Sequence, residues 1–573
     1  MNNNPMQTDN ISVVYTSRAL CRDCYRCVRV CPVNAIRMKD GQAYVVAERC
    51  ISCGTCITVC PQKAKTYRTE YGRVLQMIED GERLAISMAP SFAAYYPEWR
   101  RKRLPSALRI LGFTVVGETA TGAWHTAQAT AEFIEQNPDQ PVICTACPAA
   151  VNYITNKMPD LMPYLAPVAS PMVAHARMIK KAYPGIKFVF AGPCIAKKDE
   201  ARWKTAENDI DAVITFEELD ELFRLRNISL DACEESTFND PVNGLARVFP
   251  LESGLLKTGN IADSMFGRVV MSLSGADEIR ELLDDLHRNP TNCVIEPLFC
   301  KNGCVNGPAM QHDCNSFEAR RMVLEYASEY PGEVAEKSAL FKDTDVVFSL
   351  ASDNEHPVFT EDQIREVLSK TGKLIPADEL NCTACGYKSC RDRAVAVLEG
   401  MAEPEMCMPY MRRLAEQKAD TIIERDPNGF VLLNENLEII RMNQAFKNMF
   451  SCSDSLVGRK ISYLIDPKQF ENLIAGKEDA IREYNHYPNY NLMCHTVAYR
   501  LPEEEQIVGL FVDVTDSKSS KDKLNALRSE TVERAQELID HQIDMAQELA
   551  RFLGENTARG EVLMKNLIDS INK

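Results

Sequence analysis

The chain has 573 residues, too many for one hydrophobic core and enough for roughly three to five units. A hydrophobic fraction of 45% and a charged fraction of 25% are those of folded globular protein and argue against a disordered or fibrous chain. The net charge of −16 argues against nucleic acid or an anionic membrane surface as the main partner, and no run of about eighteen apolar residues is present to span a membrane.

Residues 1–17 are polar and lack the apolar centre of a signal peptide, so a cytoplasmic location is expected. In that reducing compartment, 22 cysteines are better explained by metal ligation than by disulfides. Residues 1–68 carry the densest set. Cys21-x2-Cys24-x2-Cys27-x3-Cys31-Pro32 is followed by Cys50-x2-Cys53-x2-Cys56-x3-Cys60-Pro61. In such paired runs each cubane takes three thiolates from one tight loop and the fourth from the other half. One [4Fe-4S] cluster is therefore expected on Cys21, Cys24, Cys27 and Cys60, and a second on Cys31, Cys50, Cys53 and Cys56. Zinc also accepts thiolates, but two complete runs, each closed by Cys-Pro, favour iron–sulfur clusters.

Residues 69–370 read as α/β. Strand-like runs LAISMA (84–89), KFVFAG (187–192) and DVVFSL (345–350) alternate with helical patterns such as TAQATAEFIEQ (126–136). Three patches stand out: Thr145-Ala146-Cys147-Pro148, Gly192-Pro193-Cys194-Ile195-Ala196-Lys197-Lys198, and Glu296-Pro297-Leu298-Phe299-Cys300-Lys301-Asn302-Gly303-Cys304. Each cysteine taken singly suits a buried structural role as well as a ligand role. Together and in this order the patches resemble the three signature segments of the [FeFe]-hydrogenase catalytic domain.

The resemblance implies a cubane on Cys147, Cys194, Cys300 and Cys304, with Cys304 also bridging to a two-iron unit that carries CO, CN⁻ and a bridging azadithiolate. Cubane and two-iron unit together are the H-cluster. It further implies that Lys197 hydrogen-bonds one cyanide, and that Ala89-Pro90-Ser91 holds the other through Pro90 and Ser91. A fixed cation beside a buried anion is physically sensible, because an unpaired buried charge is expensive. A solvated lysine and a plain turn serine are the alternatives at these positions.

The departures from the family pattern are informative. The cysteine that passes protons in prototypical members is replaced by Ala146, which carries no titratable group. The relay serine aligns with Ala166, and the relay glutamates fall near Gln128–Thr130, where Glu132 is out of place. In the pocket, Gly192 and Leu298 stand where the family has methionines, and Met172 where it has glutamine. A positioned proton relay contributes about 10²–10⁴-fold in rate, so slow turnover with hydrogen binding preserved is expected. Cys144 and His125 are candidates for another route, though a non-catalytic role suits each better.

Residues 371–418 contain Cys382-x2-Cys385-Gly386-x3-Cys390-x16-Cys407, which resembles a small four-cysteine iron–sulfur domain. A further [4Fe-4S] cluster is expected there, with zinc as the alternative, making three clusters besides the H-cluster. Cys144, Cys233, Cys293, Cys314, Cys452 and Cys494 are left without a ligand role. Residues 419–515, with a Pro-Asn-Gly turn, two strands, a helix opening at Asn443 and a closing strand over 506–516, resemble a PAS domain. His486 and His495 are remote candidates for a haem ligand. Over 516–573 apolar residues recur at Leu524, Leu527, Val532, Ala535, Ile539, Ala546, Leu549 and Leu553, which suggests a coiled coil or an amphipathic helix. His541 invites comparison with a phosphoacceptor, but no ATP-binding domain follows it.

The expected fold is thus multidomain α/β and α+β: a ferredoxin-like N-terminal domain, an α/β [FeFe]-hydrogenase catalytic domain, a small four-cysteine Fe–S domain, a PAS domain and a C-terminal helix or coiled coil. The expected function is that of a sensory [FeFe]-hydrogenase, a low-turnover hydrogen:acceptor oxidoreductase of anaerobic life catalysing H₂ ⇌ 2H⁺ + 2e⁻. Expected partners are a redox protein, maturation proteins that build the two-iron unit, a second copy of the chain as a homodimer, and a separate downstream signalling protein. The alternatives are a metabolic hydrogenase with an unusual proton path, or a non-enzymatic hydrogenase-like protein without the two-iron unit.

Overall fold

The computed structural model describes residues 12–239, 244–261, 264–265, 268–310, 314–329, 343–349, 357–476, 479–501, 505–515 and Met545. They fall into two compact units, Met1–Met411 and Arg412–Lys573. The expected coiled coil of 516–573, with His541, lies outside the described residues apart from Met545. No helix among the described residues is long and apolar enough to cross a membrane.

The first unit begins with an iron–sulfur segment of short elements. Strand Val14–Thr16 pairs antiparallel with Lys65–Tyr67, so the segment's two ends close on each other. Between them Ile36–Lys39 and Gln42–Val45 form a hairpin. Its turn, Asp40-Gly41, holds both residues at positive φ, the geometry a tight two-residue hairpin needs. Each cysteine loop leads into one short helix, Arg26–Val30 or Thr55–Thr58.

The α/β region is built on two separate four-stranded sheets. In the first, Phe113–Glu118, Leu84–Met88, Lys187–Ala191 and Ala212–Ile214 lie side by side, all parallel. All five residues of Leu84–Met88 are buried, as an apolar run in the middle of a two-sided parallel sheet must be. In the second, Val142–Ile143, Cys293–Leu298 and Arg268–Ser274 run parallel, with Ser264–Met265 antiparallel at the edge. The helical pattern of 126–136 is part of a longer helix, Ala120–Gln136, which packs against Pro171–Ala182. The expected strand DVVFSL does not form over its described residues 345–349: a single bridge joins Asp345 to Val168. Alternating burial at Thr344 and Val346 gives it one inward face but no neighbouring strand to complete a ladder.

The second unit contains a five-stranded antiparallel sheet in the order Ile439–Met442, Gly429–Asn434, Gln506–Asp513, Leu492–Leu501, Ala480–Tyr487. Its core is mainly aliphatic with an aromatic centre. Phe446 and Phe450 lie 4.6 Å apart between ring centroids, and both pack against Phe511 at 5.2 Å. Asn443 caps helix Gln444–Met449: its side-chain oxygen accepts from the Phe446 and Phe430 N–H groups, while its amide donates to the Ile423 and Asn428 carbonyls.

One buried ion pair fixes the joint between iron–sulfur segment and α/β region. Lys198 donates to Glu218 Oε2 at 2.7 Å and both side chains are buried. Glu218 also accepts from the Glu70 and Tyr71 N–H groups at the start of the α/β region and from the Thr215 N–H of its own capping box. Removing one partner strands the other as an uncompensated buried charge. Glu218→Ala is expected to cost about 3–5 kcal/mol of stability in denaturant unfolding, whereas Lys198→Met with Glu218→Leu costs clearly less than either single change.

Candidate iron–sulfur and hydrogen site

The four isolated cysteines come together because they stand at the ends of parallel strands. Cys147 follows Val142–Ile143 and Cys300 follows Cys293–Leu298, two directly paired strands of one sheet. Cys194 follows Lys187–Ala191 of the other sheet. Carboxyl ends of parallel strands are where α/β folds place their sites. Cys304 comes from the loop after Cys300, anchored by its N–H to the Pro250 carbonyl at 2.7 Å. Cys147, Cys194, Cys300 and Cys304 lie within electrostatic reach of one another.

Burial pushes all four thiols up, Cys194 to about 11. At Cys147 this is opposed by N–H groups of Phe299, Ala150 and Ala149, the last two from the first turn of helix Pro148–Lys157. At Cys194 it is opposed by Lys197 and by the backbone N–H groups of Lys197 and Ala196. Donors are thus aimed at sulfurs that burial keeps protonated. Four such thiols become thiolates readily only around cationic metal, and the donor set fits a cubane.

The expected cyanide-holding residues differ in state. Ala89 donates its N–H to the Ala191 carbonyl at 2.9 Å, so Ala89-Pro90-Ser91 runs beside the loop leading into Cys194. Ser91 is 1% exposed and its hydroxyl has no hydrogen-bond partner, an orphaned polar group that a bound anion would satisfy. Lys197 sits within reach of Cys147, Cys194 and Cys304, but its ammonium donates to Glu200 Oε2 at 2.6 Å, with a longer contact of 3.5 Å to the Ala146 carbonyl. Its strongest partner is this protein carboxylate, which the sequence reading did not assign. Lys198, its neighbour, points instead to Glu218.

The relay positions hold no titratable side chain. Ala146 is half-buried beside the buried Thr145, and Ala166 is buried with its carbonyl accepting from Thr145 Oγ1. Gln128 donates to the Thr258 carbonyl and Thr130 to the Thr126 carbonyl. At Gly192 a Cβ would meet the Phe190 ring at 2.8 Å, so that ring fills the space a side chain would need. Burial and the nearby His175 push His125 down to about 4, a neutral imidazole at ordinary pH. Burial raises the Cys144 thiol far up, with Glu296 adding to it.

Glu296 opens the third cysteine patch, and the cysteine pattern assigns it no role of its own. It lies mid-strand, 2% exposed, accepting from the Leu255 N–H at 2.8 Å. Burial pushes its carboxyl up to about 7 against that N–H, the Ser272 hydroxyl, the Ser253 N–H and Lys257. It acts electrostatically on both Cys144 and Cys304. A glutamate inside an apolar strand run (Cys293-Val294-Ile295-Glu296) was the signal available.

The other cysteines form three more groups. Cys27 is grouped with Cys21, Cys24 and Cys60, which together line one pocket with Lys65. Cys31, Cys50, Cys53 and Cys56 act on one another, and burial raises Cys50 to about 11 and Cys53 to about 12. Cys382, Cys385, Cys390 and Cys407 line another pocket, where Lys373 donates to Cys407 Sγ at 3.1 Å. Among the described residues no three His, Cys, Asp or Glu side chains are placed to hold a single metal ion. Thiolates of a cubane bind separate irons and ring a pocket instead.

Comparison with known proteins follows the same divisions. Residues 82–308 match the family model of the iron only hydrogenase large subunit, C-terminal domain; residues 20–64 match a 4Fe-4S dicluster domain; residues 378–409 match a model for an Fe-S cluster segment. The NADP-reducing hydrogenase subunit HndD of Solidesulfovibrio fructosivorans is 25% identical over 54% of this chain and 59% of its own length. Iron hydrogenase 1 of Clostridium pasteurianum is 27% identical over 52% and 64%. The chain therefore spans about three fifths of the length of these curated relatives. A cytosolic Fe-S cluster assembly factor, NAR1 of Kluyveromyces lactis, is 33% identical over 16% of this chain and 19% of its own. The solved [FeFe]-hydrogenase HydA(deltaEFG) is 19% identical, covering 45% of this chain and 88% of that one with a TM-score of 0.36. A PAS domain of an HTR-like protein from Haloarcula marismortui is 15% identical, covering 18% and 98% at a TM-score of 0.16.

Glu296 gives a pH signature. The unfolded carboxyl loses its proton near 4.5 and the folded one near 7, so the folded state binds more protons between those values and loses stability as pH rises through that window. Infrared titration is expected to show a protonated carboxyl band that disappears near pH 7 and is absent from Glu296→Gln; titration in the ordinary carboxylate range would refute the assignment. On its cysteine sites and matched segments, the chain is an iron–sulfur protein with a hydrogenase-like domain.

Proposed function

We propose that the chain is a sensory [FeFe]-hydrogenase, converting H₂ to protons and electrons slowly and reporting the result through its C-terminal region. The observation that carries this reading is the unpartnered, buried Ser91 hydroxyl on a loop running beside the approach to Cys194, itself one of four convergent thiols. Cys147, Cys194, Cys300 and Cys304 would hold the cubane, with Cys304 shared with the two-iron unit. Pro90, Ser91 and Lys197 would seat that unit's ligands. When bound, the unit supplies hydrogen splitting. Three further [4Fe-4S] clusters are assigned to the remaining thiol groups: Cys21, Cys24, Cys27 and Cys60; Cys31, Cys50, Cys53 and Cys56; and Cys382, Cys385, Cys390 and Cys407.

What the chain's own residues do follows from their state. Glu200 holds Lys197 as a fixed cation beside the thiols, so the ammonium is oriented without solvent. Ser91 offers its hydroxyl proton to an anion. Ala146 neither accepts nor donates a proton, and Glu296 is the buried group poised to hold one near neutral pH. A relay broken at Ala146, Ala166 and Gln128–Thr130 suits a protein whose task is to register hydrogen, not to process it quickly. The sheet order of 429–513, with the first strand beside the last and a capped helix after the second, supports the PAS reading; an output role for 419–573 and a cytoplasmic homodimer are part of the proposal.

The rival reading, a non-enzymatic relative of the assembly factors, differs in having no two-iron unit. Infrared spectroscopy of anaerobically matured protein separates the two. Cyanide and carbonyl stretching bands that shift on adding H₂ are expected, with turnover about 10²–10⁴-fold below that of a hydrogenase with an intact relay. Absence of the bands, when a control hydrogenase matures normally, overturns the enzyme reading; turnover equal to the control overturns the sensory one.

A further inference from the structure

The four-cysteine block of 382–407 sits against the N-terminal iron–sulfur segment. Its cysteine loop and helix Cys390–Leu398 share a buried cluster with Val28, Ile36 and Met38. Backbone and charge contacts lock the seat. The Met38 N–H donates to the Met401 carbonyl at 3.0 Å, the Asp40 N–H donates to Glu403 Oε1 at 2.9 Å, and Arg49 pairs with Glu399 at 2.7 Å.

Two residues just after Cys385 pack against the N-terminal segment. Gly386 has φ +94, and a Cβ there would meet Val28 Cγ1 at 2.9 Å and the Arg29 backbone N at 3.2 Å. Those are residues of the helix Arg26–Val30, which carries Cys27 and is capped by Cys31. Tyr387 is 5% exposed; burial raises its phenol, and the further causes include both Cys385 and Cys31. The same device recurs at the opposite joint. Gly54, φ +77, follows Cys53, and a Cβ there would meet Pro308 Cβ at 2.4 Å and Ile195 Cδ1 at 2.9 Å, beside Cys194. Cys53 in turn acts on Cys300.

We infer that Gly386 and Tyr387 are positioning residues that seat the C-terminal thiol set directly against the N-terminal sets, making the N-terminal segment the junction between the C-terminal thiols and the catalytic thiols. This rests on the proposed iron–sulfur ligation. A glycine at each joint lets the loops meet backbone to side chain, so that metal held by the two sets lies close together. The partner surface of 382–407 is therefore inside the chain, and its occupant is the Cys27–Cys31 helix.

The test is electron paramagnetic resonance of the reduced full-length protein, which needs no two-iron unit and no turnover. The wild-type spectrum is expected to be broadened by magnetic coupling between the C-terminal cluster and its N-terminal neighbours. Cys385→Ser with Cys390→Ser loses one cluster's iron and narrows the remaining signal. Gly386→Leu, which forces the loop off Val28, keeps its iron and loses much of the broadening. A C-terminal cluster signal that is already unbroadened in the wild type overturns the inference, as does full broadening in Gly386→Leu at unchanged iron content. If the cysteine variants lose no iron, the ligation itself is wrong, a failure separate from the infrared outcome that decides the hydrogenase reading.

Discussion

Everything in the first unit depends on bringing thiols from loops far apart in sequence to one buried place. A cubane cannot be assembled from one loop alone when its donors must approach from several directions. The fold meets this with two parallel sheets whose carboxyl ends face the same region: one delivers Cys194, the other Cys147 and Cys300. The loop to Cys304 is then held by a backbone bond to Pro250. Parallel strands suit the task because each ends at the same edge, whereas a hairpin returns its second strand to the opposite one.

Charge is managed with the same economy of place. Two adjacent lysines in Cys194-Ile195-Ala196-Lys197-Lys198 have separate fates. Lys198 is consumed by the buried Glu218, which also gathers the N–H groups where the iron–sulfur segment joins the α/β region. Lys197 is left beside the thiols and is itself steadied by Glu200. The two pairs share one short helix, so Lys197–Glu200 cannot shift without disturbing the ion pair at the domain joint.

Local sequence exposed what local geometry determines. The cysteine loops, the helix opening at Asn443 and the central strand at 84–88 all announce themselves within about ten residues, because spacing, turn chemistry and burial pattern are short-range properties. What stayed hidden depends on distant partners. The division into two sheets is invisible in strands that look alike. DVVFSL has the composition of a strand but no neighbour to pair with. Glu200 and Glu296 gain their meaning only from Lys197, Cys304 and Cys144, and the docking of 382–407 on the Cys27–Cys31 helix joins segments more than 350 residues apart.

The missing relay and the close thiol sets point the same way. A group that splits hydrogen must part with protons as well as electrons, and the slower of the two exits sets the pace. Here the proton side offers Ala146, Ala166 and Gln128 where a relay would need acids and bases, while Glu296 is a buried carboxyl acting electrostatically on Cys304. The thiol side, by contrast, is closely spaced: Cys53 acts electrostatically on Cys300, and both Cys385 and Cys31 act on the buried Tyr387 between the C-terminal and N-terminal sets. On the proposed reading, a protein with ready electron contact and a poor proton exit spends its time in states that mirror the hydrogen around it, which is what a sensor requires and a metabolic catalyst must avoid.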